Sequence, residues 1–255
     1  MVADTPTDLQ FITPANCPEF RKLVAPLAEA SWPEFMLHDV VADEHWGALF
    51  ERFPDYQFGY LDPSSGAAVA MGNSVPLRWS AGFDELPDDG WDWALAEAVQ
   101  THRAGLAPNV QCAIQINIRP DYRGKGLSPR MVEIMRSIGR SKGFRSLIAP
   151  VRPSQKSQYP LANIDRYIQW MTPDGLPFDA WLRVHARLGA TIIKACHRAM
   201  TIRGTVAEWQ SWTGLRFPES GSYVIPGALN PVEFDLEADQ GLYIEPNVWM
   251  VHGLE

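Results

Sequence analysis

Along the chain, apolar positions recur at two spacings, one helical and one alternating, and the changes between them mark the elements. Phe20, Leu23, Val24 and Leu27 share a helical face behind Asn16-Cys17-Pro18-Glu19, which reads as a capping box, and Pro26 bends or ends that helix. Ser31-Trp32-Pro33-Glu34 repeats the cap pattern, and Trp46, Leu49, Phe50 and Phe53 form a second apolar stripe that stops at Pro54. A hairpin follows, with strands Tyr56 to Leu61 and Ala67 to Val75 around the turn Asp62-Pro63-Ser64-Ser65-Gly66. Beyond an acidic, turn-rich stretch from Asp84 to Gly90, the residues Trp91, Leu95, Val99 and His102 return to helical spacing as an inserted helix.

The second half begins with a β-rich run from Gln111 to Ile118, a glycine turn, and a helix to Lys142 that Gly143 stops. A strand from Phe144 to Val151 follows. Between Ser154 and Trp181 the residues Ile164, Tyr167, Ile168 and Met171 predict an extra helix. The next helix, Trp181 to Leu188, runs through Gly189 into a strand from Thr191 to Ile202. Thr205-Val206-Ala207-Glu208 is a capping box for a helix carrying Trp209 and ending at Gly214. Two β-like runs, Gly221 to Leu236 and Leu242 to Val251, close the chain.

With 255 residues, 46% hydrophobic and 20% charged, the composition is that of one globular domain. The net charge of -8 argues against a nucleic-acid partner and suits amines better. No run is long and apolar enough for a membrane helix, and the N-terminus has no secretory pattern, so a cytoplasmic location is expected. Cys17, Cys112 and Cys196 are an odd set without CxxC spacing, and the histidines show no HxH or HExxH pattern, which leaves no metal site in view.

The chemistry concentrates in Arg123-Gly124-Lys125-Gly126-Leu127-Ser128, between a strand and a helix. Glycines free of Cβ let backbone amides turn toward an anion, and the helix start adds unpaired N–H groups. The spacing fits neither a P-loop nor a dinucleotide fingerprint. The longer run Ile118-Arg119-Pro120-Asp121-Tyr122-Arg123-Gly124-Lys125-Gly126-Leu127-Ser128 resembles the pyrophosphate loop of the GNAT acyltransferase superfamily, V-x-P-x-Y-R-G-x-G-I-G. Ser128 departs from the usual Gly or Ala and reads as the helix N-cap; Pro129 has no N–H to offer. A second likeness lies in Trp181 to Ala190, which is similar to the family's Y-E-K-x-G-F helix and the strand after it.

That resemblance covers roughly residues 18–203 and implies a mixed, mostly antiparallel central sheet with helices on both faces, an α/β (α+β) fold. Residues 204–255 would be an appended helix and β strands within the same domain. It implies an N-acyltransferase that moves an acyl group, most simply acetyl, from coenzyme A to a small amine. The loop residues Arg123, Gly124, Lys125, Gly126, Leu127 and Ser128 would hold the pyrophosphate, and Ile116, Asn117 and Ile118 of a bulged strand the pantetheine arm. His185 stands where the family places a tyrosine that protonates the leaving thiolate, and an imidazolium could do the same; the same spacing also describes a packed core histidine. Tyr159 is a second acid candidate, and Glu34, with Asp84 or Glu85, is a candidate base. The insertion from Ser154 to Trp181 would cover the acceptor side of the cleft.

Two rival readings remain open at this point: a domain acting on acyl carrier protein thioesters by loading or decarboxylation, and a non-catalytic acyl-CoA sensor. The first needs a basic docking rim, for which Arg123, Lys125, Arg152 and Lys156 are candidates. A homodimer is left open as well.

Overall fold

The computed structural model of the chain describes residues 8–255. In chain order these form β1 (Gln10–Ile12), α1 (Phe20–Glu29), α2 (Val40–His45), α3 (Ala48–Glu51), β2 (Gln57–Asp62), β3 (Ala67–Leu77), α4 (Gly90–Arg103), β4 (Val110–Ile118) and α5 (Leu127–Ser141). Then come β5 (Ser146–Val151), α6 (Ile164–Tyr167), α7 (Ala180–Arg187), β6 (Thr191–Gly204), α8 (Val206–Thr213), β7 (Gly221–Tyr223), β8 (Val232–Asp235) and β9 (Gln240–Gly253). Among the described residues nine strands form one sheet, ordered β1-β2-β3-β4-β5-β9-β8-β7, with β6 paired to β9. Its ladders are antiparallel apart from β4 and β5.

The sheet has a helix layer on each face. On one, α1 packs Phe20, Val24 and Leu27 onto Met71, and α4 packs Trp91, Leu95 and Val99 into the largest core with Val75, Leu77, Trp209 and Trp249. The other carries α5, through Met131 and Met135, and α6 with α7, through Ile164, Tyr167 and Leu182 against Val151, Val248 and Met250. The insertion therefore packs with α7, on the face opposite α4.

Three expectations change. Asn16 does not cap α1; its Oδ1 takes the N–H of Thr13 at 2.7 Å, and the helix runs through Pro26 to Glu29. The second predicted helix breaks into a 3₁₀ turn (Glu34–His38), α2 and α3, because Asp39 caps a new start by accepting from the Ala42 N–H at 2.8 Å. Most consequentially, the C-terminal run is no appendage to a finished core. Strand β9 lies inside the sheet, pairing β5 from Ser146↔Gly253 to Val151↔Val248 and β6 from Thr191↔Val251 to Gly204↔Gly241. Val248, Trp249 and Met250 are all fully buried, as a strand covered on both faces requires.

Candidate active site

The cleft originates in two irregularities of β4. Asn73 of β3 pairs with Gln115 and Ser74 pairs with Ala113, so Ile114 is an extra residue in the ladder, a β-bulge. The freed Ile114 carbonyl accepts from Trp91 Nε1 at 2.8 Å. On its other edge β4 meets β5 at only two positions, Gln111↔Leu147 and Cys112↔Ile148, after which the strands part. The gap holds a cavity of about 500 Å³ that passes through the sheet. On the α5–α7 side it is lined by Ile116, Ile118, Arg123, Ser128, Trp181 and His185. On the α4 side lie Trp32, Trp91, Gln115, Arg152, Met200 and Asn247.

At the mouth of the first half, Gly124 and Gly126 both have φ of 75°, where any side chain would strain the backbone, and at Gly124 a Cβ would meet nothing. Gly126 is the N-cap of α5, which places Ser128 inside the first turn instead of at the cap, still facing the cleft. Buried Leu127 anchors the turn, and Arg123 Nε donates to the Ile118 carbonyl at 3.2 Å. The start of this 15-residue helix, with exposed Arg123 and Lys125 beside it, has the chemistry that suits an anion.

His185 reaches the same half from α7. It is buried, with its Nδ1 2.9 Å from Nε2 of His252 on β9, and its edge meets the Trp181 ring. Burial first, then the neighbouring His252, lower its pKa to about 3, and burial lowers that of His252 to about 4. Both rings are neutral at physiological pH, so His185 is no imidazolium donor. Asp179 fixes the start of α7: its buried carboxylate accepts from the N–H groups of Trp181 (2.9 Å), Leu182 (3.2 Å), Ser154 (3.2 Å) and Gln155 (2.8 Å), and from the Tyr167 hydroxyl (2.8 Å).

The α4 half is built from amides and one held cation. Gln57, Asn73, Gln115 and Asn117 form a chain: Asn73 Nδ2 donates to Gln57 Oε1 (2.7 Å), Gln115 Nε2 to Asn73 Oδ1 (2.8 Å) and Asn117 Nδ2 to Gln115 Oε1 (3.1 Å). Trp32 Nε1 also donates to Gln115 Oε1, at 3.2 Å. Arg152, just past β5, donates through Nε to both carboxylate oxygens of fully buried Glu245 at 2.9 and 3.0 Å. Burial alone would lower the pKa of Arg152, but the Glu245 charge beside it outweighs that and raises it.

Comparison with known proteins shows the family of the chain. No family model matches the chain. An arginine N-acetyltransferase of Aspergillus versicolor, avaD, is 31% identical over 247 residues, spanning 87% of this chain and 84% of that protein. The chain belongs to the GNAT N-acetyltransferase superfamily. Solved structures agree in fold. The loading GNAT-like domain of CurA from Lyngbya majuscula superposes with a TM-score of 0.62 at 16% identity, over 96% of this chain and 98% of that one. The GphF GNAT-like decarboxylase, solved with isobutyryl-CoA, gives 0.55 at 15% identity, over 96% and 100%.

As a GNAT enzyme the protein transfers an acyl group from coenzyme A to an amine, with acyl-CoA as cosubstrate. The residues present fit that cosubstrate: a glycine-bracketed helix start for its pyrophosphate opens onto the unpaired edge of β4 from Ala113 to Asn117. Of the residues expected from sequence, Ile116, Asn117, Ile118, Arg123, Ser128 and His185 line the cleft. Gly124, Lys125, Gly126 and Leu127 do not line it; they form the turn between Arg123 and Ser128 that leads into α5. Tyr159 and Glu34 do not line it. Tyr159 is half exposed against Trp170 and Phe178, and Glu34 is exposed, with Oε1 3.2 Å from His38 Nε2. Asp84 and Glu85 sit in an exposed 3₁₀ turn, also outside it. Lys156 is no rim cation either: it is buried, donating to the carbonyls of Leu229 (2.6 Å) and Tyr159 (2.9 Å), and burial lowers its pKa to about 8. With Arg152 tied to Glu245, half of the carrier-docking rim is gone.

Sequence reasoning missed His252, Asp179, Glu245 and Asn247 as parts of this arrangement. For the last two a signal existed: a carboxylate and an amide inside an otherwise apolar strand run must be satisfied by something.

Proposed function

We propose that this cleft is the catalytic centre, with acetyl-CoA entering from the α5–α7 side and a small amine from the α4 side. The observation that carries the reading is the bulge and splay of β4, which opens the sheet between an anion-binding helix start and a polar, indole-lined pocket. When bound, acetyl-CoA supplies a thioester whose sulfur departs as a thiolate as the carbon–nitrogen bond forms. Gly124, Gly126 and the first amides of α5 seat its phosphates, and Ile116, Asn117 and Ile118 flank its arm. His185, neutral and with Nδ1 engaged by His252, lines the cleft and is our candidate to hydrogen-bond the departing sulfur, whose proton is the one the amine gives up, passed through water. No carboxylate lines the cavity among the described residues, and a water molecule is our candidate to receive the amine proton.

Arginine is the first acceptor to test, because the Aspergillus relative is named for it. The three cysteines are unpaired, in keeping with a cytoplasmic, reducing location. The deciding experiment incubates the protein with acetyl-CoA and a panel of amines that includes arginine, following free thiol release and the product mass. Release with a matching 42-dalton-class acetyl product supports the reading; no release with any amine, and no thermal stabilisation by acetyl-CoA, refutes it.

A further inference from the structure

The α4 half of the cleft contains two polar groups whose bonding is incomplete, and both point to one feature of the acceptor. Arg152 is clamped. Its Nε is held by both oxygens of Glu245, its Nη2 donates to the Gly227 carbonyl at 2.7 Å, and its Cζ lies 5.5 Å from the centre of the Trp32 ring. Glu245 is oriented in turn by the Tyr243 hydroxyl at 3.0 Å, which itself accepts from the Leu229 N–H at 2.7 Å. Nη1 has no partner among the described residues, in a side chain 21% exposed that lines the cavity. A guanidinium fixed on three sides with its last arm in a cleft is pre-organised for an oxygen anion, since little side-chain freedom remains to be lost.

Asn247 is the second group. On β9 it alternates with Glu245 and Trp249, so it shares their face of the sheet, and its Nδ2 donates to the Pro150 carbonyl at 3.2 Å. Its Oδ1 is buried without a hydrogen-bond partner, in a residue that is 1% exposed and lines the same cavity. A buried amide oxygen left unpaired is costly and is normally explained by a missing donor.

We infer that the acceptor carries a carboxylate, bound by Nη1 of Arg152, and that Asn247 Oδ1 receives an N–H from its amino end. This rests on the acetyl-transfer reading of the cleft and narrows it to amines of the amino-acid class. The electrostatics agree: a cationic amino acid is drawn to a chain of net charge -8, while its anionic end finds the one guanidinium that lines the α4 half.

The experiment compares amino acids with their decarboxylated amines in the wild-type protein: arginine with agmatine, and lysine with cadaverine. Each pair keeps the amine and side chain and differs only in the carboxylate. Agmatine should lose at least about 100-fold in kcat/KM, mostly through KM, because a site built for a charged hydrogen bond rejects the analogue lacking it. Arg152→Lys keeps a cation opposite Glu245, so the fold should hold. It should lower kcat/KM for arginine about 10-fold or more while leaving agmatine within a few-fold, compressing the ratio between them. Asn247→Leu should raise KM for both members of a pair. Agmatine turned over as well as arginine in the wild type overturns the carboxylate site while leaving acetyl transfer intact. Failure of every amine, with no thermal shift from acetyl-CoA, overturns the underlying reading instead. If Arg152→Lys does not fold, the wild-type pairs still decide.

Discussion

Replacing His252 with glutamine isolates the buried imidazole pair. Glutamine places an amide near the former Nε2, so His185 Nδ1 keeps a neighbour, but one proton-binding group is gone. In the folded chain the pKa values of His185 and His252 are lowered to about 3 and about 4, whereas each ring in the unfolded chain titrates near 6.5. A depressed folded-state pKa contributes stability that is fully present above the unfolded value and is lost as pH falls toward the folded one. Between about pH 4.5 and 6 the unfolded chain therefore holds two protons that the folded chain does not, a slope of roughly 2 to 3 kcal/mol per pH unit in favour of higher pH.

A second buried site works in the opposite direction. Asp39 and Asp92 face each other, and their carboxyl oxygens Asp39 Oδ2 and Asp92 Oδ1 lack other partners. Burial and the neighbouring Asp39 raise the pKa of Asp92 to about 9, so the folded chain holds a proton there that the unfolded chain has released above about pH 4.5. A raised value contributes stability that is complete below the unfolded pKa and is lost as pH rises through the folded one. It removes one proton from the difference, leaving these three groups together a slope of about 1 kcal/mol per pH unit. His252→Gln should lower the parent's slope by about 1 kcal/mol per pH unit, and Asp92→Asn should raise it by about as much. At pH 7.5 His252→Gln should change stability little, because both rings are neutral there. Urea unfolding at half-unit steps from pH 4.5 to 7.5 reads all three slopes. A glutamine variant with the parent's slope would mean that His252 is already protonated in the folded chain and that the pair is not neutral.

Gly126→Glu should abolish the thermal shift that acetyl-CoA gives the parent, since it puts a negative charge at the N-cap of α5; Gly126→Ala, which costs about 1 to 2 kcal/mol of backbone strain at φ 75°, should keep part of it. His185→Phe should keep acetyl-CoA affinity and lower kcat about 100-fold, and the parent's kcat should show no titration near pH 6.5 assignable to His185; a variant within a few-fold of the parent would make His185 a packing residue. Asp179→Ala removes the α7 cap and the bonds to Ser154, Gln155 and Tyr167, and should cost about 3 kcal/mol or more in urea unfolding, with the KM for acetyl-CoA rising as Trp181 shifts.

What could be read from sequence was whatever local chemistry dictates. The hairpin of β2 and β3, the strand–glycine–helix unit from β4 to α5 and the capping box Thr205–Glu208 all form where their residues place them. Each is decided within about ten residues. The cap at Asn16 failed because its oxygen had a nearer donor in Thr13, and the helix expected after Ser31 failed because Asp39 offered a competing cap. Long-range pairing was invisible. Nothing in Leu242 to Val251 says that it slots between β5 and β6, and without that placement the partner of His185, the clamp on Arg152 and the orphan oxygen of Asn247 have no address. The bulge at Ile114 is equally silent in the residues, since it depends on where β3 sets its register.

The two halves of the cleft thus draw on the chain differently. The proposed phosphate seat comes from one continuous stretch, β4 through α5, whose glycines and helix start offer backbone groups to an anion; side chains in that turn can vary as long as the backbone geometry survives. On the acceptor side, the residue just past β5, β9, the loop before the 3₁₀ turn at Glu34 and α4 converge, contributing Arg152, Asn247, Trp32 and Trp91 respectively. Recognition there depends on side chains held by partners distant in sequence: Glu245 for Arg152, Gln115 for Trp32 and the Ile114 carbonyl for Trp91. Changes of acceptor should therefore require substitutions in several separated segments at once, because altering Arg152 alone leaves Glu245 as a buried, unpaired charge. Exchanging Arg152 and Glu245 together for an apolar pair should cost far less stability than losing either one, and should leave acetyl-CoA binding in place while removing the preference for arginine over agmatine.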